Sequence, residues 1–317
     1  MTPPPYTTGV ARVGDVELAY DVFGRGPAML LIMGIGAQRI FWDDELCHLL
    51  AAEGFSVVRF DHRDVGQSSR LDARAPAPAH ALWRRLLGRS IAAPYTLSDM
   101  ARDAVGLLDH LGFATAHVVG VSMGGMIAQH LAIEHPARVR SVVSISSTPG
   151  SRRYLPDPSA IRALFRRRPQ TLEEAGDAIV RTFGVIGSRA WPSDPARLRR
   201  LGEEAFRRGS NPAGFFRHFA ALLASGDRVK RLGAVRAPAL VIHGTKDPLI
   251  PFRAGRATAD AIPGARFLPV TGMAHDLPQA LWPMFVAAIV SNAARPMRDA
   301  PAPVIAGFGA APVGAGS

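Results

Sequence analysis

The 317-residue chain reads as an α/β protein, a mostly parallel sheet that a helical segment interrupts and that then resumes. Three observations carry this reading. Up to about residue 150, short β-branched or Leu-rich runs alternate with stretches of helical period, as parallel strands and their crossovers require. From Ser151 to Arg236 no strand-like run occurs, Pro and Gly recur, and several helical patterns follow one another. Beyond that segment the alternation returns with Ala239–His243 (ALVIH) and Ala265–Val270 (ARFLPV).

Taken from the N-terminus, the first five strand runs are Val16–Phe23, Ala28–Met33, Ser56–Phe60, His117–Val121 and Val139–Ile145. Helices are expected over Asp43–Glu53, Ser98–Leu111 and Ser122–Glu134, the second with Ser98 as its N-cap and Gly112 closing it. An Ala/Pro-rich insertion, Leu71–Pro94, holds one apolar and basic helical piece, Ala81–Leu87. Helical patterns near Phe252–Ala261 and Pro278–Ala293 accompany the last two strands. Pro301–Ser317 is rich in Pro, Gly and Ala and reads as a disordered tail. The expected organisation is a core of residues 1–150 and 237–295, a helical cap of 151–236 and a tail of 296–317.

With 48% hydrophobic and 20% charged residues, the chain has globular composition and can bury a large core. Its single cysteine, Cys47, excludes an intramolecular disulfide and sits at helical spacing as a buried small hydrophobe. No Cys/His cluster has zinc spacing, so no metal and no cofactor is expected. No signal-like N-terminus and no run of about 18 apolar residues occurs, which predicts a cytoplasmic protein without a membrane span. The net charge of +11 is concentrated in the insertion: residues 151–236 carry 18 Arg plus Lys against 8 Asp plus Glu. Because apolar residues recur there at helical spacing, the expectation is amphipathic helices with solvated Arg faces rather than a nucleic-acid site. Attraction of an anionic substrate or membrane surface is the alternative.

The chemistry begins at Gly120-Val121-Ser122-Met123-Gly124-Gly125, which lies between a strand run and a helical run. Such a sharp turn lifts a serine hydroxyl above the sheet, and glycines two residues either side let backbone and helix approach. A serine needs a base to take its proton and a third group to orient that base. Asp247, just past the strand Ala239–His243, and His275, in the Gly-containing loop after Ala265–Val270, follow in the order Ser, Asp, His. For the oxyanion hole, one donor is expected to be the N–H of Met123, directly after the nucleophile. The second is expected to be Ile35, in the loop Met33-Gly34-Ile35-Gly36-Ala37-Gln38.

On these residues the chain resembles the serine α/β-hydrolases of the capped, small-molecule kind, over about Val13 to Ala293. Asp61-His62-Arg63-Asp64-Val65-Gly66-Gln67-Ser68 is similar to that family's loop after the fourth strand, usually Asp-x-Arg-Gly-x-Gly-x-Ser. The resemblance implies eight mostly parallel strands with the cap inserted after the sixth. Within the family, the Ile-Met-Gly loop together with the Asp-His-Arg-Asp form is similar to the aclacinomycin methylesterase branch, which cleaves methyl esters of polyketides. Two departures stand out: Met33 replaces the usual histidine that braces the oxyanion loop, and Asp64 stands where glycine is commoner.

The expected function is hydrolysis of a small-molecule carboxylic ester through an acyl-enzyme, with activity rising as His275 loses its proton. Gly34, Met126 and Met273 are expected to contact substrate, a plain core role being the equal alternative for the two methionines. Carbon–carbon bond hydrolases and cofactor-free haloperoxidases or perhydrolases share the elbow, and a non-catalytic receptor is the reading outside catalysis. Asp276 is expected to cap a helix. His48, His110, His117, His130, His135 and His218 are read as surface or packing residues, and His62 and His243 as structural. Self-association into a homo-oligomer is left open.

Overall fold

The computed structural model describes residues 6–167 and 169–298. Its strands are β1 (Thr7–Val13), β2 (Val16–Phe23), β3 (Ala28–Ile32), β4 (Ser56–Phe60), β5 (Ala116–Val121), β6 (Val139–Ile145), β7 (Ala239–Gly244) and β8 (Arg266–Val270). They form one sheet in the order β1-β2-β4-β3-β5-β6-β7-β8. β1 and β4 both pair antiparallel with β2, and every other pair is parallel. Eight strands, mostly parallel, with a helical insert after the sixth is the architecture expected. The edge strand β1 has no counterpart among the strand runs read from sequence.

The helices are α1 (Asp44–Ala52), α2 (Pro78–Leu86), α3 (Leu97–His110), α4 (Met123–Glu134), α5 (Pro158–Leu164), α6 (Leu172–Ile186), α7 (Pro195–Arg207), α8 (Pro212–Ala224), α9 (Val229–Leu232), α10 (Phe252–Ala261) and α11 (Trp282–Ala293). Those outside the insert cover both faces of the sheet. Ala28, Leu30 and Ile32 of β3 join a core with α3, α4 and α10, while Met29 and Leu31 point into a second core with α1 and α11. Burial on both faces is why the central strands read as continuous apolar runs.

Helix α3 starts one residue earlier than expected. Thr96, not Ser98, is its N-cap, and Thr96 and Asp99 form a capping box in which each side chain bonds the other's backbone N–H. Ser98 instead donates to the Glu134 carboxylate at 2.5 Å. The expected tail falls almost wholly outside the described residues; Arg298, at its start, donates to the Pro263 and Arg236 carbonyls.

The insert α5–α8 covers the end of the sheet where β3, β4, β5, β7 and β8 all terminate, and its arginines are not simply solvated. Arg208 reaches the buried Asp61 at 3.1 Å, Arg217 grips Asp64 with two bonds of 2.6 and 2.8 Å, and Arg197 pairs with Asp43. Arg228 lies wholly inside, donating to Gln129 Oε1 and to the carbonyls of Thr148 and Gly226; burial lowers its pKa to about 10. Part of the basic surplus therefore fastens the cap to core carboxylates and carbonyls. Helical period alone carries no sign of this, because it marks the apolar face of a helix and not the destination of long polar side chains.

Candidate active site

Ser122 sits at the turn from β5 into α4 with φ +56° and ψ −122°, a region that non-glycine residues avoid. Strain of this kind costs on the order of 1–3 kcal/mol and persists only where the surroundings enforce it. They do so here: the Ser122 N–H donates to Ile145 O at 2.9 Å, and Ser147 Oγ donates to Ser122 O at 2.7 Å. Glycine is required on both sides. A Cβ at Gly120 would collide with the Gly124 carbonyl, and one at Gly124 with the carbonyls of Ile32 and Met33.

His275, in the loop after β8, places Nε2 3.0 Å from Ser122 Oγ and Nδ1 2.8 Å from Asp247 Oδ2. In the tautomer this chain implies, Nδ1–H donates to Asp247 and Nε2 accepts from the serine hydroxyl. Asp247 holds its place through its other oxygen, which accepts from Leu249 N–H at 2.9 Å and Ile250 N–H at 2.8 Å. It is thus a turn residue and a partner of the histidine at once. His243 stands 3.6 Å from the same carboxylate, but burial lowers its pKa and its Nε2–H donates to Ile250 O at 2.9 Å, so it is a neutral neighbour.

The loop after β3 passes beside this group, with Gly34 so close that a Cβ there would lie 3.3 Å from Ser122 Cβ. Its Gly36 N–H donates to His218 Nδ1 at 3.2 Å and its Ala37 N–H to Gly34 O at 3.3 Å. The N–H groups of Ile35 and of Met123, the first residue of α4, have no acceptor among the described residues. The loop is braced from two sides despite Met33. His62 Nε2 donates to Met33 O at 3.0 Å from below, and His218, on the cap helix α8, bonds Gly36 and donates to Arg63 O at 2.8 Å. Burial pushes His62 to a pKa of about 4 and, with His62 beside it, His218 to about 3, so both stay neutral. His218 is more than a packing residue, and sequence spacing had no means of placing it beside a loop 182 residues away.

Asp64 lines the pocket with φ +70°, the conformation that explains why glycine is commoner there. Its carboxylate accepts from Arg217, from Tyr95 Oη at 2.7 Å and from Leu71 N–H at 2.8 Å. Burial alone would raise this carboxyl, but these bonds together hold it below its ordinary value. Asp276 does not cap a helix. It accepts from Ser188 N–H at 2.9 Å and Ser188 Oγ at 2.5 Å, while Ile186 O accepts from His275 N–H at 2.8 Å. The cap therefore clamps the His275 loop at one side and the Ile35 loop at the other.

Between cap and core lies a cavity of about 350 Å³, into which Ser122 and His275 open. Ile35, Phe41, Ile179, Phe183, Phe215 and Trp282 form much of its apolar wall, with Gln38, Asn211 and Arg166 among its polar groups. Gly34 lines it. Met126 and Met273 do not. They are buried in the two opposite cores, because Met126 follows α4 down onto the sheet and Met273 lies under its loop. Among the described residues no group of His, Cys, Asp or Glu could hold a metal, and no helix is long and apolar enough to cross a membrane.

A hydroxyl bonded to a carboxylate-oriented imidazole, with free N–H donors nearby and an apolar chamber above, is equipped for acyl transfer. Comparison with known proteins agrees at the level of fold and family. The chain is 31% identical over 292 residues to the rhodomycin D methylesterase of Streptomyces sp. strain C5, covering 83% of this chain and 90% of that one. It is 32% identical over 272 residues to RutD of Variovorax paradoxus strain S110, named for carbamate hydrolysis, covering 84% and 92%. Among solved structures, the enol-lactonase of Burkholderia xenovorans LB400 superposes with a TM-score of 0.68 at 22% identity, over 90% of this chain and 99% of that one. The meta-cleavage product hydrolase of Pseudomonas fluorescens IP01 does so with 0.69 at 17%, over 90% and 96%. The sequence pattern of the alpha/beta hydrolase fold family matches residues 27–277, and the chain belongs to that family.

Proposed function

We propose that the protein is a carboxylic ester hydrolase acting on apolar small-molecule esters, with Ser122 as nucleophile. The observation that carries this is the continuous chain Ser122 Oγ, His275, Asp247, at 3.0 and 2.8 Å, opening into an apolar cavity. His275 takes the proton from Ser122 as its oxygen attacks the ester carbonyl, and Asp247 stabilises the imidazolium that forms. The N–H groups of Ile35 and Met123 receive the oxyanion; one such donor is worth about 2.7–4 kcal/mol of transition-state stabilisation. His275 then gives its proton to the leaving alcohol, and a water deprotonated by the same imidazole releases the acid from the acyl-enzyme. Similarity to proteins named as methylesterases supports an ester over a carbon–carbon bond, and a short alcohol as leaving group.

The test is turnover of p-nitrophenyl esters from acetate to decanoate by wild type and Ser122→Ala. Turnover that vanishes in the variant supports the reading, and the chain-length optimum sizes the acyl site. Wild-type activity on none of these esters or on methyl esters of aromatic acids, or undiminished activity in the variant, would overturn it.

A further inference from the structure

Helix α2, in the insertion between β4 and α3, is amphipathic with its apolar face outward. Ala81 is its one fully buried residue, and Arg84 and Arg85 are half-buried. Leu82, Trp83, Leu86 and Leu87, at the spacing of one helical face, are 44%, 50%, 56% and 52% exposed. A contiguous apolar face of this kind marks an interaction site, whereas single exposed apolar residues do not.

The surroundings of this face are basic. Beside α2 opens a second cavity of about 450 Å³, lined by Arg85, Arg89, Arg152 and Arg153 with Ser151, and with Asp227 as its one carboxylate. None of these four arginines, nor Arg84, forms an ion pair among the described residues. Arg85 donates to Gly150 O, Arg152 to the carbonyls of Arg85 and Leu86, and Arg89 lies over the Trp83 ring at 5.5 Å. Elsewhere in the cap Arg197, Arg208, Arg217 and Arg231 meet carboxylates, whereas these four arginines share one cavity without an ion pair among the described residues. A second copy docked here by two-fold symmetry would bring the two arginine clusters together with little acid between them, which disfavours that occupant.

We propose that this face is a docking site for an anionic lipid bilayer. Leu82, Trp83, Leu86 and Leu87 enter the interfacial region, and Arg89, Arg152 and Arg153 meet lipid phosphates, the division of labour of an interfacial amphipathic helix. α2 packs on α8, and Phe215 of α8 lines the catalytic cavity, so the docked face and the cavity share the cap. The proposal is independent of whether Ser122 is a nucleophile.

Co-sedimentation of the full chain with phosphatidylcholine vesicles, with and without 30% phosphatidylglycerol, tests it. Binding at least tenfold stronger to the anionic vesicles is expected, falling at least tenfold in Arg89→Glu/Arg153→Glu and in 0.5 M NaCl. Leu86→Gln/Leu87→Gln, exposed positions outside the catalytic cavity, should weaken binding while hydrolysis of a water-soluble ester stays at wild-type rate. Equal binding to both vesicle types, or no loss in the charge-reversed variant, would overturn the proposal. So would a dimer dissolved by Leu86→Gln/Leu87→Gln, or binding to heparin but not to vesicles.

Discussion

Arg217→Met removes the cation that joins the cap to the core at Asp64. The guanidinium makes two bonds to the Asp64 carboxylate, at 2.6 and 2.8 Å, and one to Ala73 O at 2.9 Å, with both charged side chains almost fully buried. Breaking a buried pair from one side costs about 3–5 kcal/mol, since the remaining charge stays desolvated. At about 2–4 °C per kcal/mol for a large domain, the melting temperature should fall by roughly 6–20 °C. Removing both partners is different. In Asp64→Gly/Arg217→Met no charge is stranded and glycine suits φ +70°, so the double variant should lose less than half of what the single one loses. Urea melts of wild type, both single variants and the double form a cycle whose coupling energy should be about 2 kcal/mol or more. An Arg217→Met cost under 1 kcal/mol, or additivity, would refute the reasoning.

Other outcomes follow from the same geometry. His218→Phe strands Gly36 N–H and Arg63 O and loosens the Ile35 loop, so kcat should fall about tenfold, equivalent to about 1.4 kcal/mol, with KM changing under twofold. Unchanged steady-state kinetics would remove His218 from the positioning role. His62 and His218 have folded-state pKa values of about 4 and about 3 against about 6.5 unfolded, so the unfolded chain binds more protons between those limits. Stability should therefore decline as pH drops below about 6.5, by about 1.4 kcal/mol per pH unit for each histidine, and a urea midpoint equal at pH 7.5 and 5 would contradict it. Gly124→Ala should abolish activity and reduce soluble yield, because its Cβ meets two fixed carbonyls; near-wild-type turnover would show that the elbow can widen.

Legibility followed the physical range of each signal. β3 and β5 are buried on both faces, so their apolar runs were readable at once, and the Gly120–Gly125 turn carries its own steric logic. β1, Thr7–Val13, is a half-exposed edge strand of mixed residues, TTGVARV, with no apolar run to announce it. Of the two roles open to Met126 and Met273, the core one holds, because closeness in sequence to Ser122 and His275 does not say which way a side chain points. The clamps made by His218, Arg217 and Ser188 join segments about 90 to 180 residues apart, where local periodicity is silent. Asp64 was visible as a departure from a pattern, yet its meaning came only from the arginine that meets it.

The claim that Ser122 is the activated nucleophile is tested most directly by covalent labelling with a fluorophosphonate, read by intact mass and peptide mapping. One adduct per chain on the peptide holding Ser122 is expected, lost in Ser122→Ala and formed far more slowly in His275→Ala. Ester turnover with the label on another residue, or with no label at all, would contradict the account.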